Sequence, residues 1–149
     1  MPGPIYLRID KAELPDLPEL QGRFVLDAPI LLRPGRDLLL LSAGAIVREV
    51  LEAAEHLMSE STSPAVALMA HLSFQGNQAL AAMLRRFPEI VTLEEGSIVG
   101  GLGSLVAETI ADFGLPCRLL RLGVRTPLQE HKGSRPYLLG QHGLTAGGR

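Results

Sequence analysis

The 149-residue sequence has a single cysteine, no tryptophan and only 4% aromatic residues. One cysteine cannot form a disulfide within the chain, so Cys117 is compatible with a reducing compartment. Its apolar neighbours favour a small buried hydrophobe over a nucleophile. The scarcity of aromatic side chains predicts a core built from Leu, Val, Ile and Ala. Hydrophobic residues still make up 46% of the chain, which excludes a disordered protein and predicts a folded domain.

Positive charge is also scarce. The net charge is −2, so the chain is not basic overall. The local concentrations of arginine are Arg85, Arg86, Arg118, Arg121 and Arg125. Nucleic-acid-binding surfaces need a larger basic patch, commonly interleaved with aromatic side chains, so we expect no nucleic-acid partner.

Long apolar runs are missing as well. Runs such as Leu38–Leu41 are far shorter than the ~20 residues that a membrane span requires. The first ten residues contain no apolar segment of the signal-peptide type. We therefore expect a cytoplasmic protein with no membrane partner.

Apolar runs and amphipathic stretches alternate along most of the chain. Short apolar runs predict strands at 29–33, 37–42, 65–70, 89–94 and 117–122. Amphipathic spacing predicts helices at 46–58, 77–87 and 102–113, and a short one at 135–142. Buried strands separated by helices are typical of an α/β fold, with a mostly parallel sheet covered by helices on both faces.

The beginning of the chain has a different character. Residues 4–9 read as a short strand or extended arm, and Pro15 and Pro18 interrupt the chain soon after. We assign residues 1–27 to a linker-like arm and residues 28–149 to the α/β domain.

A glycine-rich loop, residues 96–104, joins a predicted strand to a predicted helix. Ligands of open α/β sheets bind at this edge, and amides at a helix start are able to bind an anion. The loop has neither the third glycine of G-x-G-x-x-G nor the lysine of a P-loop. Two interpretations stay open: a loop that docks against a partner domain, or an anion or nucleotide site. The candidates for either role are Glu94, Glu95, Gly100, Gly101, Gly103 and Ser104.

Glu94 and Glu95 are adjacent carboxylates at the end of a predicted strand. Because neighbouring strand residues point to opposite faces, we expect no acid–base dyad. The alternatives are a solvated pair, or one glutamate that accepts hydrogen bonds from amides of the following loop.

His71 is a further candidate, because it follows a predicted strand at its carboxyl end. Ser73, Gln75 and Asn77 lie nearby in sequence, so this segment is able to line a crevice, although a purely structural role stays open. No two histidines have the spacing of metal ligands. No G-x-S-x-G motif supports a catalytic serine.

Three segments resemble, in order, parts of the C-terminal domain of the transketolase family. They are GRDLLLLSAGAIVREVLEAAEHL, IVTLEEGSIVGGLGSLVAETIADFG and CRLLRLGV. The N-terminal GPIYLRI is similar to the segment that connects the preceding pyrimidine-binding domain, so the resemblance covers about residues 3–145. Related domains occur in deoxyxylulose-phosphate synthase and in the beta subunits of 2-oxoacid dehydrogenases. The resemblance implies a three-layer α/β/α domain with a five-stranded mixed sheet and one antiparallel strand.

The same resemblance implies a non-catalytic domain or subunit of a thiamine-diphosphate enzyme that transfers two-carbon ketol units between sugar phosphates. Thiamine diphosphate and Mg²⁺ are then expected in the assembled enzyme, on its pyrophosphate- and pyrimidine-binding domains. No G-D-G motif occurs in this sequence, and no catalytic, cofactor-binding or metal-binding residue of the family maps onto it. The implied roles are assembly and dimerisation, or a larger homo-oligomer, with a regulatory site as a further implication.

The resemblance leaves the parent enzyme open between a transketolase, a synthase and a 2-oxoacid dehydrogenase. Family members usually continue through another helix after GLTAGGR. We therefore expect either an excised fragment or a shortened gene product, with one sheet face partly uncovered.

Overall fold

The structure is a computed structural model that describes residues 3–4, 6, 16–23, 25–26, 28–73, 77–125 and 132–147. Within these residues the strands and α-helices are β1 (Ile30–Arg33), β2 (Leu38–Ala43), α1 (Val47–Ser59), β3 (Pro64–Met69), α2 (Asn77–Leu84), β4 (Glu89–Ser97), α3 (Leu102–Asp112), β5 (Arg118–Val124) and α4 (Arg135–Gln141). Short 3-10 turns lie at Pro18–Leu20 and Gly44–Ile46. Most of the predicted strand at 4–9 lies outside the described residues. No described helix has the length and apolar character needed to cross a membrane.

The strands form one mixed sheet in the order β1-β3-β2-β4-β5. β2 pairs in parallel with both β3 and β4, and β4 pairs in parallel with β5. β1 lies antiparallel to β3. The mixed, mostly parallel sheet is therefore confirmed, with the antiparallel strand that the resemblance implied. The chain moves to opposite sides of β2 for β3 and β4, so the carboxyl ends of β2 and β4 form the topological switch point of the sheet.

Helices cover both faces of the sheet. α2 and α3 pack on one face, where Leu84 and Val106 meet Leu39 and Ile90. α1 and α4 pack on the other face. There the buried side chains are Leu40, Ile46, Val50, Leu51, Ala54, Val66, Leu93, Val124, Leu139 and Leu144. The three-layer α/β/α architecture and the aliphatic core are both as predicted.

Two element boundaries differ from the prediction by three residues, more than any other boundary. β4 continues to Ser97, three residues beyond the predicted strand, because a register shift between Leu93 and Ser97 lets the strand bend and still pair with Val124. α2 ends at Leu84 rather than at 87. Phe87 precedes a proline, and the residue before a proline is disfavoured in a helix.

Candidate functional site

Glu94 lies near the carboxyl end of β4, and its side chain caps the start of α3. Its two carboxylate oxygens accept hydrogen bonds from the amides of Leu102 (3.0 Å) and Gly103 (2.9 Å). These are the first residues of α3, whose amides have no acceptor inside the helix. The glutamate is only 6% exposed, and its negative charge lies at the positive end of the helix dipole. The second alternative for this carboxylate, a bond to the following loop, is therefore the one that the structure has.

The glycines of the loop make room for this carboxylate. A Cβ atom built on Gly101 would overlap the carboxylate of Glu94. At Gly103 a Cβ atom would lie 2.8 Å from Cδ of Arg121. Gly100 has a φ of 78°, in the left-handed region that glycine adopts without strain. The space left by these glycines is therefore occupied by side chains of the same domain.

Hydroxyl groups hold the remainder of the glycine-rich loop. Ser104 Oγ accepts a hydrogen bond from the amide of Gly100 (2.9 Å) and donates one to the carbonyl of Ile98 (3.1 Å). Ser97 Oγ accepts a hydrogen bond from the amide of Val99 (3.1 Å). An incoming anion would have to displace a hydroxyl or a carboxylate to reach these amides.

Val99 occupies the tip of the loop and is 79% exposed. The hydrogen bonds behind it fix the backbone on which this aliphatic side chain stands. A preorganised apolar tip loses little conformational freedom when it enters a pocket of another protein. The loop geometry thus suits contact with a protein surface.

Glu95 points to the opposite face of the sheet and binds α4. Its carboxylate accepts hydrogen bonds from Nε (3.0 Å) and Nη2 of Arg135. Nη1 of the same arginine lies 4.0 Å from Oε1 of Glu49 on α1. The adjacent carboxylates therefore bind helices on opposite faces of the sheet, Glu94 at α3 and Glu95 at α4. They form no acid–base dyad, as predicted.

The sequence matches the family described as "Transketolase, C-terminal domain" over residues 27–148. The chain belongs to this family. A relative from Actinobacillus succinogenes, named as a subunit of apulose-4-phosphate transketolase, is 32% identical over 144 residues, which cover 97% of this chain and 46% of the relative. A "1-deoxy-D-xylulose-5-phosphate synthase" from Syntrophotalea carbinolica is 38% identical over 117 residues, covering 78% of this chain and 18% of the synthase.

Two solved transketolase structures are also similar to this chain. "Split gene transketolase, inactive beta4 tetramer" superposes with a TM-score of 0.74 at 31% identity, covering 85% of this chain and 41% of that one. Transketolase from Campylobacter jejuni shares the fold, with a TM-score of 0.56 at 17% identity over 80% of this chain and 17% of that one. This transketolase C-terminal domain thus spans less than half the length of each of these relatives.

His71 lies apart from the loop in this transketolase C-terminal domain. It is exposed and lies two residues after the end of β3, whereas the loop begins at the end of β4, and the central strand β2 separates the two strands. Ser73 is half-buried. Gln75 and the side chain of Asn77 lie outside the described residues. The structure therefore does not group His71 with Glu94.

Cys117 is half-buried beside the cluster of side chains under α2 and α3. Burial raises the pKa of its thiol. The thiolate is the reactive form of cysteine, so this environment disfavours nucleophilic chemistry at neutral pH. The geometry supports the interpretation of this residue as a small hydrophobe.

The described part of this domain offers neither a grouped set of metal ligands nor an anion site with free amides at the start of α3. Among the described residues no three His, Cys, Asp or Glu side chains are grouped so as to hold a metal ion. The helix start that is able to bind a phosphate already holds the Glu94 carboxylate. No chemical step through the cofactor is therefore assigned to these residues.

Proposed function

We propose that this domain is a non-catalytic assembly component of a transketolase-like enzyme that uses thiamine diphosphate. The pyrophosphate- and pyrimidine-binding domains, on other parts of the enzyme, hold the cofactor and Mg²⁺. The assembled enzyme transfers two-carbon ketol units between sugar phosphates. Support comes from the relatives, which are named as a transketolase subunit and a synthase and are more than twice as long as the matched region.

The contact of Glu94 with the start of α3 is the observation that supports a docking role for the glycine-rich loop. An anion site needs free amides, whereas here a carboxylate of the same domain accepts hydrogen bonds from Leu102 and Gly103. A docking loop needs a fixed backbone and an exposed apolar tip, which Val99 supplies. This contact favours docking over the alternative function, a free-standing anion- or nucleotide-binding module.

We expect Val99→Glu to weaken binding of the companion subunit, meaning the polypeptide that carries the pyrophosphate- and pyrimidine-binding domains. A charge at a buried apolar contact removes the hydrophobic gain and must be desolvated, so the dissociation constant should rise about tenfold or more. Isothermal titration calorimetry of the purified domain with the purified companion subunit measures this change.

The matched control is Met58→Glu. Met58 is also an exposed apolar residue, at 53%, but it lies near the end of α1, at the opposite edge of the sheet. This variant should have the same affinity for the companion subunit as the unmodified domain. If the Val99→Glu variant and the unmodified domain bind the companion subunit with equal affinity, the loop tip is not part of the interface.

We also propose a cytoplasmic location and a homo-oligomeric state, as a dimer or larger. The single cysteine is compatible with a reducing compartment. The split-gene relative of solved structure is described as a tetramer, which supports self-association here. Sedimentation equilibrium of the purified domain tests the oligomeric state.

A further inference from the structure

The edge strand β1 ends in an arginine that an irregular register places against α1. Leu31 pairs with Ala67, which lies on the face under α2 and α3, so strict alternation would direct Arg33 to that face as well. A register shift between Leu31 and Arg33 instead pairs Arg33 with Val66, which lies on the face under α1. Bulges of this kind redirect a side chain. The guanidinium of Arg33 therefore reaches α1.

On α1 this guanidinium has two partners. Nη2 donates a hydrogen bond to Oε1 of Glu55 (3.2 Å), and Nη1 donates one to the sulfur of Met58 (3.6 Å). Glu55 and Met58 lie three residues apart and therefore share one side of the helix. The side chain of Arg33 is only 26% exposed. The ion pair with Glu55 thus holds a partly buried cation beside the sulfur of Met58.

Met58 is the most accessible methionine of the described residues. It is 53% exposed, whereas Met69 is 4% exposed and Met83 is half-buried. Its side chain borders an open depression on the surface, which is lined by Arg33, Pro34, Glu55, Met58, Ser63 and Pro64. A small oxidant dissolved in water therefore reaches this sulfur without any opening of the fold.

Oxidation of a thioether by hydrogen peroxide requires no catalytic base of the protein. A lone pair of the sulfur attacks one peroxide oxygen, an S–O bond forms and the O–O bond breaks. The proton on the transferred oxygen passes to the departing hydroxide, so the products are methionine sulfoxide and water, and the two electrons lost by sulfur reduce the peroxide. The thioether is a weak hydrogen-bond acceptor, whereas the sulfoxide is polar. A donor already placed beside the sulfur therefore gains a stronger partner.

We propose that Met58 is an oxidation site for peroxides and that Arg33 binds the sulfoxide oxygen, so that oxidation strengthens the contact between β1 and α1. Oxidation of a methionine in a core destabilises a protein, because it buries a polar group. At Met58 the sulfoxide stays partly in water and meets a cation that is already in place. The usual effect of this modification on stability is therefore reversed here.

Peptide mass spectrometry after timed exposure of the full domain to hydrogen peroxide tests the selectivity. We expect Met58 to be oxidised about tenfold or more faster than Met69 and Met83, because the fold protects the other two. The difference should disappear in urea, where all three side chains are exposed. Equal rates in the folded domain, or the same difference in urea, would overturn the assignment of this site.

Thermal melts before and after oxidation test the contact with Arg33. Oxidation should raise the melting temperature of the unmodified domain by about 2–4 °C, the size expected for one partly exposed hydrogen bond to a charged group. In the Arg33→Leu variant, which lacks the donor, oxidation should leave the melting temperature unchanged or lower it. Met58→Leu is the control for oxidation elsewhere in the chain, and peroxide should not change its melting temperature.

Met58→Gln provides a test that needs no peroxide and that stands even if Arg33→Leu does not fold. Its amide oxygen takes the place of the sulfoxide oxygen, and glutamine and leucine have similar helix propensities. Met58→Gln should therefore melt at a higher temperature than Met58→Leu. Three results would overturn the proposal: a lower melting temperature of the oxidised unmodified domain, an equal rise on oxidation of Arg33→Leu, or a Met58→Gln variant that melts no higher than Met58→Leu.

Discussion

Replacing Glu94 with alanine is expected to lower the free energy of unfolding by about 3 kcal/mol. The substitution leaves the amides of Leu102 and Gly103 without their acceptor at a buried position, and each hydrogen bond to a charged group contributes about 1.5–3 kcal/mol. For a domain of this size the melting temperature should fall by roughly 6–12 °C. Urea unfolding and a thermal melt followed by circular dichroism measure both quantities.

Glu95→Ala is the matched control, because it deletes the same side chain one residue away. Its carboxylate binds Arg135 at a site where both side chains are partly exposed, so solvent screening limits the loss to about 1 kcal/mol. Glu94→Gln keeps one acceptor oxygen and should lie between the two alanine variants. If Glu94→Ala costs no more than Glu95→Ala, the carboxylate does not hold α3 in place.

Gly101→Ala is expected to cost about 2–3 kcal/mol, although it adds only a methyl group. The backbone of Gly101 has a φ of −95°, which alanine also adopts, so the cost does not arise from backbone strain. The added Cβ overlaps the carboxylate of Glu94 and displaces it from the start of α3. The measurement is again the free energy of unfolding in urea.

A double-mutant cycle shows whether these two effects share one cause. The three heavy atoms nearest to a Cβ at Gly101 all belong to Glu94. In a Glu94→Ala background, Gly101→Ala should therefore cost less than about 0.5 kcal/mol, giving a coupling of about 2 kcal/mol. Additive costs would mean that the glycine serves some contact other than the one with this carboxylate.

The local pattern of the sequence was sufficient for most of the fold. The apolar run that includes Leu39 and Leu41 and the periodic spacing of Val50 and Ala54 follow from which side chains must be buried, so both elements were predictable. The opposite orientation of Glu94 and Glu95 follows from strand geometry alone. The strand β1 was predicted from its apolar run, whereas its antiparallel orientation came from the resemblance to a family.

Contacts that depend on strand order and on distant segments were not predictable in the same way. His71 was a candidate because it follows a strand, but β2 lies between that strand and β4. Arg135 was missed, although it binds Glu95 from 40 residues away. The proline after Arg135 is typical of a helix start, yet no spacing rule connects the start of α4 to the end of β4.

Amide NMR spectra of the ¹⁵N-labelled domain distinguish a glycine-rich loop that contacts a protein partner from one that binds an anion. The domain is titrated with the companion subunit and, separately, with inorganic phosphate up to millimolar concentration. We expect the companion subunit to perturb the amides of Val99 and Gly100, while phosphate leaves those of Leu102 and Gly103 unchanged. Saturable phosphate-dependent shifts at Leu102 and Gly103, with Val99 unaffected by the companion subunit, would contradict this expectation.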